Sequence, residues 1–420
     1  MPADEPSRPG RTFRRPLKRL LKSIAAVAAL LVVGVAILLA LLWKEHGAGI
    51  TLPAPTGHFA VGRVTYGWVN NAKKDDLSPS PGANRQVLVW IWYPAAPSPS
   101  DPPAEYLPAP WRSALDSYSG MLMSRFLTRD LALVRCHSFS GPPISAEQSS
   151  YPVVILRAGG GALTTDFTTL AEDLASHGYV VAGFDAPYRT VAVVLPDGRV
   201  VTRPPANNPE TLSAQDQDRL IDNLLPMWTT DTQFVIDQLE HLNAADPSGR
   251  FQGRLDLDRL GVFGHSFGGA TALQVCHDDP RCKAGIDIDG NPFGSVVRDG
   301  LQQPFMFLLS DHGSLDDAGA REVFAKIQSI YSRLPAGRQC LVLHGANHFS
   351  FSDQILLKST YLVKLAGLFQ GGLDARRGLA LTAAYVHTFF DVYLKNAPPS
   401  LLDRLRENEP AVQCLMAADL

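Results

Sequence analysis

The chain is poor in cysteine. Five cysteines occur in 420 residues, Cys136, Cys276, Cys282, Cys340 and Cys414. They are too scattered for a zinc site and too few for a disulfide-built fold. Cys-x-x-Cys, His-Glu-x-x-His, a Walker loop and the dinucleotide pattern Gly-x-Gly-x-x-Gly are missing, so the sequence implies neither a cofactor nor a metal. Charge of one sign is lacking as well: the formal net charge is -3, which gives no basic field and excludes nucleic acid as an expected partner. No period of about 20 to 50 residues repeats, which sets solenoids and propellers aside. With 45% hydrophobic and 19% charged residues, the chain can bury a large core, and that core must carry its stability.

Polar residues are absent from Ile24 to Trp43. At about 1.5 Å per residue this run matches the roughly 30 Å hydrocarbon layer of a bilayer, whereas the apolar core of a cleavable signal is about 7 to 15 residues long. Arg8, Arg11, Arg14, Arg15, Lys18, Arg19 and Lys22 precede it, and only Lys44 follows closely. The positive-inside rule therefore predicts a basic cytoplasmic segment (1–23), a membrane-spanning signal-anchor (24–43) and an extracytoplasmic remainder, periplasmic or extracellular. The alternative is secretion after cleavage of a long signal. A lipoprotein anchor is excluded, since no cysteine precedes Cys136.

A linker is expected over 44–56 and one folded domain over 57–420. Within it, strand-like runs at Gly57 to Asn71, Gln86 to Tyr93, Tyr151 to Leu156, Tyr179 to Phe184, Leu260 to Phe263, Ala284 to Ile288, Pro304 to Leu309 and Gln339 to Leu343 alternate with helical patterns. Those patterns fall at Thr165 to His177, Thr230 to Leu242, Arg321 to Leu334 and Ala380 to Leu394. The beat predicts a mostly parallel, doubly wound α/β sheet. Two stretches break it: Tyr106 to Ser145, read as an irregular excursion with a helix near 114–134, and Val191 to Trp228, read as an insertion over the active face.

Gly264-His265-Ser266-Phe267-Gly268-Gly269 lies between a strand-like run and a helix-compatible one, the context of a nucleophile elbow. Such a serine needs a histidine base and then an orienting carboxylate, in chain order Ser, Asp or Glu, His. Only histidines near the last strand's end reach the same rim. His344 adjoins the strand itself, while His348 sits in the loop Gly345 to Phe349, where a ring can turn toward Ser266. Asp289 and Asp311 both close strands and both fit as the acid. Asp287, deeper on the same strand as Asp289, reads as a structural group.

With these pieces together the chain resembles the platelet-activating-factor acetylhydrolase group of α/β-hydrolases, which includes lipoprotein-associated phospholipases and bacterial dienelactone-hydrolase-like esterases. The resemblance rests on Gly264 to Gly269, Asp173 to Gly178, Asp289-Gly290 and Gly345 to Phe349. It implies an α/β-hydrolase fold, Ser266, Asp289 and His348 as catalytic residues, and an oxyanion hole from the backbone N–H groups of Phe267 and Gly160. The implied substrates are short-chain carboxylic esters, including phospholipids with a short sn-2 chain. A general carboxylesterase or dienelactone-type hydrolase on small soluble esters is the alternative, and a catalytically silent binding domain a further one. The chain departs from the group's pattern at Arg157 and Ala158, ahead of the glycine loop. With the domain outside the cytoplasm, an oxidising compartment permits a bond between Cys276 and Cys282.

Overall fold

Alternation along the central strands creates two cores. In the run from Val87 to Tyr93, Val87, Val89, Ile91 and Tyr93 enter one buried cluster, while Leu88, Trp90 and Trp92 enter another. Successive side chains of a strand point to opposite faces, and the same split separates Val153 and Ile155 from Val154 and Leu156. Strands buried on both faces read as continuous apolar runs and need helices on both sides. The computed structural model describes residues 14–311, 318–335, 338–360 and 372–415.

The strands are β1 (Ile50–Thr51), β2 (Ala60–Lys74), β3 (Asn84–Ala95), β4 (Pro103–Glu105), β5 (Val134–Ser140), β6 (Tyr151–Arg157), β7 (Val180–Asp185), β8 (Ala192–Val194), β9 (Val200–Thr202), β10 (Leu255–His265), β11 (Cys282–Ile288), β12 (Phe305–Ser310), β13 (Gln339–Leu343) and β14 (Val412–Cys414). The main sheet has the order β1-β5-β2-β3-β7-β6-β10-β11-β12-β13-β14, with β4 beside β5 and the hairpin β8-β9 apart. From β7 to β13 every neighbour is parallel, while β2, β3 and β14 add antiparallel pairings. Parallel strands end together, so the residues following β6, β10, β11 and β13 share one rim.

The early helices are α1 (Arg14–His46), α2 (Ala109–Leu122), α3 (Thr168–Ser176), α4 (Ala214–Ala244) and α5 (Phe267–Asp278). Val235, Ile236 and Leu239 of α4 and Leu273 and Val275 of α5 pack into one core, whereas Leu170 and Leu174 of α3 pack with Phe389 and Phe390 of the helix Ala375–Leu394 in the other. α1 is apolar and long enough to cross a membrane, and its apolar stretch is exposed.

Three segments differ from the sequence expectation. The stretch expected to be a linker, 44–56, is built into the domain: β1 pairs with β5, Leu52 is buried, and the Thr56 N–H and hydroxyl donate to Asp173. Asp173 also accepts from His387 Nδ1 at 2.7 Å, a staple from residue 56 through α3 to the C-terminal helix. Inside the expected excursion, β5 joins the sheet; its polar sequence hides the pattern because its backbone is tied by the buried Glu172 carboxylate, which accepts from the His137 and Ser138 N–H groups. Finally, the helix expected from Thr230 begins at Ala214, capped by Ser213 Oγ accepting from Asp216 N–H, and runs through Pro226. Thr229 and Thr230 hydroxyls bond back to the Leu225 and Pro226 carbonyls. A proline normally breaks a helix, which fits the reading of the stretch before Thr230 as part of an insertion.

Cys276 and Cys282 form a disulfide from the end of α5 to the start of β11, with Cα atoms 5.0 Å apart. Chain entropy for so short a loop gives about 2 kcal/mol. Replacing both cysteines with alanine should lower the urea-derived unfolding free energy by about that amount. Alkylation of both sulfurs in native-redox protein unfolded without reductant would contradict the bond.

Candidate active site

The elbow is set by crowding. A Cβ on Gly264 would lie 2.1 Å from the Gly268 oxygen, and one on Gly268 would lie 2.2 Å from the Arg157 oxygen. Only glycine lets the N-terminus of α5 come this near β10 and β6. Ser266 takes up the turn with φ 58° and ψ -128°, a sparsely populated conformation costing on the order of 1–3 kcal/mol. Its N–H donates to the Ile288 oxygen at 2.9 Å, and its carbonyl accepts from the Gly269 and Ala270 N–H groups.

Below the elbow lies Asp287, fully buried. Its Oδ1 accepts from the Gly290 N–H at 2.9 Å. A Cβ on Gly269 would lie 1.8 Å from that oxygen. Burial, and secondarily the charge of Asp289, pushes the Asp287 carboxyl well above the usual carboxylate range.

Asp289, with φ 53°, follows β11 and is oriented by β12. The Ser310 N–H and hydroxyl both donate to it, at 2.8 and 2.9 Å. Its other oxygen meets His348 Nδ1 at 2.7 Å. Asp311, the second acid candidate, faces the second histidine candidate: His344 Nδ1 is 3.4 Å away, and the Gly345 N–H donates to the same oxygen. Geometry thus brings Asp289 to His348 and leaves Asp311 with His344. Asn347 shapes the loop, its side chain accepting from the Phe349 N–H.

His265 is a member of this group that the sequence reading passed over. Its Nε2–H donates to the His348 carbonyl at 2.7 Å, and the two rings lie 4.4 Å apart. Burial, then the neighbouring His348, pushes its pKa down to about 3, so it stays neutral and acts as a fixed donor. The signal available was its place inside the elbow motif.

After β6 the chain enters the glycine loop. A Cβ on Gly159 would lie 2.6 Å from Ser266 Cβ, and Gly160 is left-handed at φ +48° with open space at its Cβ position. Phe267 opens α5, where the first N–H groups lack intrahelical carbonyls. Its ring meets Trp228 edge-on at 4.9 Å. Arg157, at the end of β6, is fully buried and stacks on Phe184 at 3.9 Å and Trp228 at 4.4 Å, donating to the Phe184 oxygen. Burial, then Arg189, lowers its pKa to about 9, which leaves it charged at neutral pH. Arg157 therefore clamps α4 against the elbow.

Ser266, His348, Gly159, Gly160 and Gly161 line one cavity of about 740 Å³. The strand order, the strained serine at a strand-to-helix turn and this rim define an α/β-hydrolase. Residues 46–192 and 237–397 match the sequence profile of platelet-activating factor acetylhydrolase, isoform II, and the chain belongs to that family. A solved structure similar to it is the ferulic acid esterase from Streptomyces cinnamoneus, 29% identical, with a TM-score of 0.70 over 88% of this chain and 100% of that one. A probable 1-alkyl-2-acetylglycerophosphocholine esterase of Arthroderma benhamiae is 26% identical over 60% of this chain and 62% of its own length. The platelet-activating factor acetylhydrolase of Cavia porcellus is 26% identical over 58% of each chain. The cutinase est1 of Thermobifida alba is 23% identical over 61% of this chain and 73% of its own. The chain spans about three-fifths of the length of the first two of these relatives.

The crowding makes a graded prediction. Gly268→Ala should cost more than about 3 kcal/mol of stability, because the obstructing atom is backbone. Gly160→Ala should cost only about 1–2 kcal/mol, for its left-handed φ alone. Equal urea midpoints for the two variants would refute the steric account of the elbow.

Proposed function

We propose that this chain is a serine esterase in which Ser266 attacks the ester carbonyl. His348 takes the serine proton and returns it to the leaving alcohol, and Asp289 holds the histidine's tautomer. Backbone N–H groups of Phe267 and Gly160 bind the oxyanion, and water then releases the acyl group. The observation that carries this is the 2.7 Å contact of His348 Nδ1 with Asp289, on the rim of the cavity that Ser266 lines. The proposed substrates are short-chain carboxylic esters, including phospholipids with a short sn-2 acyl chain, in keeping with the names of the acetylhydrolase relatives. The second reading, small soluble esters, is favoured by the similarity to a ferulic acid esterase.

A fluorophosphonate probe should label the wild type and leave Ser266→Ala unlabelled. Asp289→Asn should lose on the order of 10⁴-fold in turnover, and Asp311→Asn far less; the reverse order would move the acid to Asp311. In a chain-length series of nitrophenyl esters, turnover should fall from acetyl to long acyl chains. An acetylated phosphocholine lipid should release acetate equally with and without chelator. Turnover of the small esters without that lipid would favour the second reading.

For location, we infer that residues 24–43 span a membrane with the basic end inside and the catalytic domain outside. The full chain should then stay with membranes after a high-salt wash, and protease added to intact spheroplasts should degrade the domain. Protection of the domain would reverse the topology, and release into the medium would favour signal cleavage.

A further inference from the structure

Arg203 follows β9, in the hairpin insertion that lies outside the family match, which omits residues 193–236. The hairpin is pinned to the glycine loop: the Val191 N–H donates to the Gly161 oxygen at 3.0 Å, and the Arg203 N–H donates to the Val191 oxygen at 3.2 Å. Its guanidinium lies against Gly161. A Cβ there would fall 2.5 Å from Nη1, 2.8 Å from Cζ and 3.1 Å from Nη2, so the loop has glycine where the fork passes. Two residues earlier, Gly159 touches Ser266 in the same way. A two-residue step spans at most about 7 Å, and Arg203 and Ser266 line the same cavity.

The other cations of the cavity wall are occupied or peripheral. Arg129 donates to the Leu356 oxygen and Glu45, Arg112 to the Leu107 oxygen, and Lys358 to Thr128 Oγ1, while Arg125 is exposed. Arg203 Nε is buried without an acceptor, and no carboxylate pairs with its side chain among the described residues. Of the acids lining the cavity, Asp166 accepts from the Leu163 N–H and the Gln354 amide, Asp130 caps its own turn, and Asp116 lies on the exposed face of α2. Behind the loop, the buried Arg85 and Arg189 pair with the carboxylates of Asp75 and Asp231, and the buried Arg157 has Asp231 and Asp185 nearby, so these cations are answered within the fold.

We propose that Arg203 is an anion-reading residue: its fork binds a carboxylate or phosphodiester carried by the ester a few bonds from the scissile carbonyl, and the enzyme selects anionic esters. This rests on Ser266 being the nucleophile. A planar guanidinium matches both groups through paired N–H donors, and its place beside the glycine loop aligns such a substrate with the oxyanion donors.

The test compares matched esters on the full chain as kcat/KM ratios, the ester bearing an anionic group over the ester lacking it. One arm sets 4-nitrophenyl hemiglutarate against 4-nitrophenyl pentanoate, and the other sets 1-alkyl-2-acetylglycerophosphocholine against 1-alkyl-2-acetylglycerol. Arg203→Gln should lower the ratio at least tenfold in one arm, which identifies whether the anion sits on the acyl or the alcohol side, and Arg203→Lys should keep part of it. Ratios within twofold of wild type in both arms overturn the proposal. A binding measurement separates this from the esterase reading: glutarate or glycerophosphocholine should raise the melting temperature of Ser266→Ala protein, and adding Arg203→Gln should abolish the rise. If the wild type hydrolyses no ester, the esterase reading fails while the melting shift still decides Arg203; no shift with either anion overturns the anion site.

Discussion

The close approach of the N-terminus of α5 to three strands is the constraint on which the rim depends. Gly264, Gly268 and Gly269 are surrounded by main-chain oxygens and by the Asp287 carboxyl, so no side chain fits and Ser266 is forced to a positive φ. Backbone strain of this kind persists only where the surroundings over-determine it. Here the surroundings are a parallel sheet buried on both faces. The two acids of β11 and its turn show how finely depth then decides chemistry. Asp287, under the elbow, has its pKa pushed up because it is buried beside another carboxyl. Asp289, two residues on, is turned out by its positive φ to meet Ser310 and His348.

A second buried arrangement couples the insertion to this elbow. Asp231 on α4 accepts from Arg85 of β3 and Arg189 after β7; burial opposes its charge, but Arg189 and Arg85 hold it below the usual range. Breaking one partner of such a buried network typically costs about 3–5 kcal/mol, so α4 is fastened at this point. One turn earlier on the same helix, Trp228 is held between Arg157 and Phe267. The arginine that departs from the family's pattern thus has a structural use: its flat cation fills the space between the glycine-loop strand and the inserted helix, where a small polar residue would leave one face of Trp228 without the 4.4 Å cation contact.

Most of the parallel sheet was legible because buried strands must be apolar along their whole length. The expected run at Gln339 to Leu343 coincides with β13, and the runs at Tyr151, Tyr179 and Pro304 fall within about one residue of β6, β7 and β12. The candidate residues were legible through chain order and strand ends, since parallel topology restricts which side chains reach one rim. What stayed hidden depends on tertiary partners. β5 is polar in sequence and is held by Glu172. β1 is two residues long, too short to carry a period. α4 contains a proline that its length and packing outweigh. His265 stands inside the elbow motif at a position the motif leaves open, and Arg203 lies in no motif: each matters through a backbone or glycine neighbour distant in sequence.

The end of α1 bears on how the cavity meets its surroundings. Glu45, buried, accepts from Ser359 Oγ and the Thr360 N–H and faces Arg129, His46 Nδ1–H donates to the Thr128 oxygen, and Trp43 packs near Phe126. The segments it grips, around 126–130 and 357–360, also supply wall residues of the cavity, as does His46 itself. The helix therefore ends rigidly against the domain instead of through a free tether. With residues 24–43 in a bilayer, Trp43 falls at the depth where indole rings favour the interface, and His46 is less than one helical turn beyond it. In the proposed anchored arrangement the cavity wall would begin at the headgroup level, beside an ester presented by a lipid surface. A free linker over 44–56, as the sequence suggests, would have left that orientation unset; β1 and the Asp173 staple on Thr56 remove the freedom.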